Sequence, residues 1–431
     1  MSDGEALEIE EGDDEEAPDT LLRKPAGHAP VSFLELFFDL VYVFAITQLS
    51  HTLHDHMSLA GVIEAGELFL AVWWAWIFTT WAANWANPER LPVRLMLVLV
   101  MLLSMLMAIV TPLAFGRHGM LFAVSYIALQ LGRSLMMMAI FAREDDPVVS
   151  RGGVRNMARI SAWFAGSGVP WIAGALAPPE LRAFWWAAAL AIDYAGPLMF
   201  FWTPGLGRSE ARDWDISGGH MAERGALFVI IALGEGVVVT GSTVSQSVLG
   251  GGLFRDGFIG GLGGAFLLAF AGSVLMWWLY FDIGAQRGTE MIEHHDEPGR
   301  IARAAYTYLH MPIIAGVIVN AVADALLLDE WHGSAERALV VTQCGSLILY
   351  VAGLAVFKQQ SAEHGLFPLS HIGGLVMLVL LGALALLIEV PALTFVAMTV
   401  AILAVVAVWE WVSFHGGWDR HLERIKPKAA T

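Results

Sequence analysis

An ionisable side chain at the centre of a membrane-spanning helix costs at least about 2.5–3.5 kcal/mol on insertion scales, so each one inside a long apolar run is a candidate site that needs a partner. Several occur in this chain. Glu35 and Asp39 are spaced i, i+4 in VSFLELFFDLVYVFAITQLS, with Tyr42 three further on, which puts all three within about 100° of one helix face. Two carboxylates that close favour one shared proton, and such a pair binds a cation or exchanges a proton as its surroundings open and close. Satisfaction of the pair by an Arg or by backbone donors is the structural alternative. A second run, HMAERGALFVIIALGEGVVVTG, places Glu223 and Arg224 at the mouth of a helix and Glu235 deep inside it, between Gly234 and Gly236. Arg224 and Glu235 share a face but lie about 16 Å apart along the axis. In a third run, Tyr306, His310 and Asp324 form one stripe with Asn320 beside it. A histidine at that depth carries a proton, hydrogen-bonds a carboxylate, or simply packs as a neutral ring. Arg133, one turn after Gln130, cannot lose its charge and demands an acid; Asp193 lies at comparable depth, and the two are expected to form a structural ion pair.

The elements that hold these residues are read from composition. The chain has 431 residues, 57% hydrophobic and 15% charged, against roughly 45–50% apolar and about 25% charged in a soluble domain. Apolar runs fall near 31–53, 58–86, 93–114, 119–142, 158–177, 181–203, 221–245, 257–283, 303–328, 337–357, 366–389 and 391–413, matching the about 20 residues a spanning helix needs. The expected fold is an all-α polytopic membrane protein of about twelve transmembrane helices. With an even count, nineteen Lys/Arg collect on the side of the termini and four, Arg117, Arg182, Arg255 and Arg337, on the other. Positive charge marks the cytoplasmic side, so both termini are expected there.

The runs also suggest two halves. Phe69–Trp85 and Phe266–Asp282 are aromatic-rich second helices, and each half opens on a helix bearing acids. Six helices per half would make the repeats parallel. The expected division is an acidic disordered arm over 1–28, repeats over 29–208 and 209–415, and a basic tail over 416–431. The arm explains much of the net charge of −17, because ten acids and no base lie within Met1–Thr20.

Other signals favour bland readings. His51, His54, Asp55 and His56, and Glu293, His294, His295 and Asp296, match no established metal spacing and read as interfacial loops. The glycines between Gly250 and Gly264 follow no strand, so they serve helix packing rather than nucleotide binding. Trp73, Trp74, Trp76 and Trp81 are expected to pack or line a cavity, with Trp85 in an interfacial belt. The lone Cys344 excludes an intrachain disulfide and argues against a cysteine metal site. No nucleophile with a paired base is visible, and the basic residues are scattered rather than clustered for nucleic acid. No cofactor, metal or enzymatic role is expected.

At VSFLELFFDLVYVFAITQLSHTL, ERGALFVIIALGEGVVVTG and YLHMPIIAGVIV the chain resembles the bacterial low temperature requirement A (LtrA) membrane protein family. The resemblance implies a polytopic bacterial membrane protein and supplies no substrate; the expected location is the bacterial inner membrane. Glu35, Phe38, Asp39, Glu223, Arg224, Gly234, Glu235 and His310 fall on its motif positions. The string FFDLVYVFAI is also similar to the FSD-initiated six-helix repeats of endolysosomal potassium channels, although Phe38 replaces the Ser and the second half has no Asp there. The expected function is secondary transport of an unknown small solute or ion, coupled to protons or cations through buried carboxylates. The alternatives are a cation channel and a membrane scaffold or enzyme. The lipid bilayer is the expected partner, and oligomerisation is left open.

Overall fold

In the computed structural model, residues 20–23, 30–210, 214, 216–249, 261–284, 292, 299, 302–360 and 367–414 are described. The acidic arm, apart from residues 20–23, and the basic tail lie outside them, as does the Glu293–Asp296 cluster. The described residues are α-helical, with no strand among them. In chain order the helices are α1 (Phe33–Asp55), α2 (Leu59–Trp85), α3 (Leu91–Val110, prolonged by a 3₁₀ turn to Leu113), α4 (Gly119–Phe141), α5 (Pro147–Leu176), α6 (Pro179–Leu198), α7 (Gly218–Leu249), α8 (Leu262–Leu279, ending in a π turn to Gly284), α9 (His310–Asp329, preceded by π turns over Ala302–Leu309), α10 (Arg337–Gln360), α11 (Leu369–Ala385) and α12 (Ala392–Phe414).

Among the described residues, 9 helical segments are long and apolar enough to cross a membrane. The helices outside that set are α5 and α6, whose arginines, acids and small residues dilute the apolar run, and α11, which is 17 residues long.

Local chemistry sets the boundaries. Ser32 opens α1 with a capping box, its hydroxyl accepting the Glu35 N–H while the Glu35 carboxylate accepts the Ser32 N–H. Two expected boundaries are corrected. The fifth helix starts at Pro147 rather than near 158, because Asp146 accepts the Val148 N–H at 2.7 Å and Pro147 is pre-set for the first turn. The sixth stops at Leu198 rather than near 203. There Phe200 and Phe201 take φ of 52° and 47°, a left-handed reversal held by the Phe201 ring stacked on Trp214.

The helices pack in an ordered way. α1 contacts α2 and α3, α3 contacts α4, α4 contacts α5, α5 contacts α6, and α2 closes back on α4 and α6. The same relations recur from α7 onward: α7 with α8 and α9, α9 with α10, α10 with α11, α11 with α12, and α8 with α12 and, through its π turn, α10. Across the two sets, α1 lies against α7 and α9, and α2 against α7.

α9 and α10 approach closely, where small residues let backbones meet. A Cβ on Gly316 would fall 2.7 Å from the Tyr350 nitrogen and 2.8 Å from the Ser346 carbonyl. Neither backbone atom can step aside, so Gly316→Ala is expected to cost about 1–3 kcal/mol through overpacking. Thermal unfolding in detergent checks this; an unchanged midpoint would contradict the packing.

Candidate functional site

The α1 and α7 helices run side by side in the same direction: Glu35 meets His220, Asp39 meets Arg224, and Thr47 meets Glu235. The first two contacts share a sequence offset of 185, so corresponding turns of the two helices face each other. Along this seam polar and aromatic groups alternate in layers.

The first layer lies where both helices begin. Besides capping α1, Glu35 accepts hydrogen bonds from Arg23 Nη2 at 2.9 Å, the Ser32 hydroxyl at 2.7 Å and His220 Nε2 at 2.8 Å. The His220 tautomer follows from its neighbour. Ser217 gives its N–H to Asn84 Oδ1 and takes a bond from Asn84 Nδ2 at its carbonyl, which fixes the amide. Asn84 then donates to His220 Nδ1 at 3.1 Å, leaving Nε2–H to face Glu35. One turn deeper, Arg224 donates to the Glu35 carbonyl at 2.9 Å and to Asp39 Oδ1 at 2.8 Å, and Trp76 donates to the same Asp39 oxygen at 2.9 Å. The guanidinium also lies 5.7 Å from the ring centres of Phe38 and Trp76. Glu223 accepts the Val31 N–H at 3.2 Å.

Above this network is a plug of rings. Phe228 of α7 sits 4.2 Å from Trp76, 5.6 Å from Trp73 and 6.3 Å from Tyr42 between ring centres, and each of these side chains is at most 2% exposed. The α2 tryptophans therefore pack, and two also anchor α9: Trp73 donates to the Thr307 carbonyl and Trp81 to its hydroxyl.

Beyond the plug is a second polar layer. Glu235 Oε2 is bonded to the Thr47 hydroxyl at 2.5 Å, while Oε1 is buried without a partner. Thr47 also reaches the Val43 carbonyl at 3.0 Å. At the next residue, a Cβ on Gly236 would lie 3.6 Å from Ser273 Oγ and 3.9 Å from Asp324 Oδ2, so α7, α8 and α9 converge there. Asn320 donates to Asp324 at 3.0 Å.

The expected residues thus divide. Glu35, Asp39, Glu223 and Arg224 gather in the first layer; Glu235 stands apart in the second, eight residues or about 12 Å along α1 from Asp39 when measured from Thr47. Register along two parallel helices therefore keeps Asp39 and Glu235 from forming one site. His310 lies near Gly225 of α7 and bonds Tyr280 at 2.7 Å and the Ala305 carbonyl at 3.0 Å, stacked on Tyr306. The Arg133–Asp193 ion pair is also corrected. Arg133 donates to the Ala75 carbonyl, Thr79 and Gln130. Asp193 accepts from Tyr126 at 2.8 Å and Trp171 at 3.4 Å, and Gln130 donates to Tyr126. Neutral groups relay between the two because the charges stand too far apart to touch.

Sequence reasoning missed His220, Asn84, Trp76 and Thr47. His220 could have been found, since it precedes Arg224 by four residues on the same helix face. The partners of α2 could not, because no spacing in one helix reports the face of another.

A bundle of long apolar helices with charged groups buried inside it is an integral membrane protein. More narrowly, the chain belongs to the bacterial low temperature requirement A protein (LtrA) family, whose profile matches residues 30–408. It is similar to an uncharacterized protein of Rhizobium meliloti (strain 1021), 38% identical over 404 residues that cover 94% of this chain and 93% of the relative. No solved structure matches it.

Proposed function

We propose that the protein is a secondary transporter of the bacterial inner membrane, coupled to protons or another cation through Glu235, with both termini cytoplasmic and twelve spans in two parallel six-helix repeats. The observation that carries the reading is the layered seam: an ionic network in which Arg224 pairs with Asp39, an aromatic plug, and beyond it a buried carboxylate bonded to a hydroxyl rather than to a cation, with its second oxygen unpartnered. An alternating-access carrier needs such parts, a barrier on one side of a midplane site built where the repeats meet. The parallel course of α1 and α7 and the recurring neighbour order support the repeat.

The Thr47 hydroxyl supports proton exchange in particular. It has one hydrogen and two acceptors, the Val43 carbonyl and Glu235. When Glu235 is ionised, Thr47 donates to it; when protonated, Glu235 donates to Thr47, which turns to Val43. Both states keep their bonds. The solute is unassigned.

Purified protein in liposomes, with internal pH and membrane potential followed by dyes, tests the reading. Saturable, protein-dependent proton or cation movement under an imposed gradient is expected. Flux that rises without saturation would indicate a channel instead, and flux equal to that of empty liposomes would reject transport of protons and the ions supplied. Orientation has its own test: with Cys344 replaced, cysteines placed at 148 and 290 are expected to resist an impermeant reagent applied outside, and reaction there would invert the topology.

A further inference from the structure

Arg133 is buried in α4 at 2% exposure, and among the described residues no carboxylate lies within ion-pair distance of it. Its three hydrogen bonds go to neutral acceptors, the Ala75 carbonyl, Thr79 Oγ1 and Gln130 Oε1. A guanidinium has five N–H groups, so Nε–H and one Nη2–H remain unengaged. The faces of Phe78 and Phe164, 5.5 and 5.8 Å away, lessen the charge but do not neutralise it.

Beside this cation is a cavity of about 10 Å³ lined by Arg133, Phe78, Trp85, Met137, Met157 and Trp214 among others. Among the described residues, its lining includes no Asp or Glu. A second observation points the same way: the Trp214 indole N–H is buried without an acceptor. Arg133 and Trp214, each with an unengaged donor, thus line one small space to which no carboxylate among the described residues contributes.

We propose that this cavity in the first six helices binds a single small monovalent inorganic anion of the halide class, held by Arg133 and the Trp214 N–H. Size and charge select the ligand. One water-sized body needs roughly 10–15 Å³ on this scale, which excludes organic carboxylates, and flexible Met137 and Met157 adjust to an ion slightly larger than water. A divalent anion would leave an excess negative charge in the bundle, whereas a monovalent one cancels Arg133. The site is separate from the Glu235 layer and does not depend on the transport reading.

The test is thermal unfolding of the full-length protein in detergent, titrating sodium bromide against sodium gluconate at constant ionic strength. A ligand that binds the folded state raises the midpoint saturably. Bromide is expected to do so in the wild type, Trp214→Phe to raise the half-saturating concentration about tenfold, the 1.4 kcal/mol equivalent of one donor, and Arg133→Gln to abolish the response. If Arg133→Gln does not fold, Trp214→Phe decides alone. No bromide-specific stabilisation of the wild type, or an unchanged half-saturation in Trp214→Phe, would overturn the proposal.

Discussion

Replacing Arg224 by methionine is expected to lower stability by roughly 3–5 kcal/mol, the cost of stranding one member of a buried ion pair. The residue is fully buried and reaches both the Glu35 carbonyl and Asp39. Without it the Asp39 carboxylate keeps only the Trp76 N–H. Folded yield and the unfolding midpoint in detergent measure the loss. The double change Arg224→Met with Asp39→Leu is expected to recover part of it, because removing both charges also removes the desolvation penalty. Equal losses in the single and double variants would show that Arg224 acts through packing and not through its charge. Asp39→Asn belongs to the same class: it unpairs Arg224, so its defect is expected in folding before transport.

Glu235→Gln is expected to behave in the opposite way. The amide preserves shape and the contact with Thr47, so stability is expected to change by less than about 1 kcal/mol, since one neutral hydrogen bond replaces another. What disappears is titration. Proton movement in liposomes is expected to fall to the level of empty vesicles while the variant remains folded, and Glu235→Asp, which keeps the acid on a shorter stem, is expected to retain a fraction. Wild-type flux from Glu235→Gln would remove this residue from the coupling step.

Much of this arrangement was legible in one dimension. The apolar runs reported the helices because a bilayer imposes length and hydropathy on each segment, and the errors arose at α5 and α6, where a proline cap and a paired left-handed turn override the hydrophobic boundary. The acids of α1 and α7 stood out because a charge in an apolar run requires a reason. Their partners were less accessible. Spacing places Glu35 and Asp39 on one face but says nothing of which helix covers it, so His220 and Trp76 were missed and Arg224 was not identified as the partner of Asp39. The same limit misled at Arg133: similar depth suggested Asp193, whereas the distance between α4 and α6 is spanned by Gln130 and Tyr126.

Infrared difference spectroscopy on stepping the pH of the reconstituted protein tests the role of Glu235 most directly, because a protonated carboxyl in an apolar setting has a C=O stretch separate from the amide bands. The wild type is expected to show such a band gained and lost with pH, and Glu235→Gln to lack it while Asp39 and Asp324 are intact. A band that persists unchanged in Glu235→Gln would place the exchangeable proton elsewhere and contradict the account.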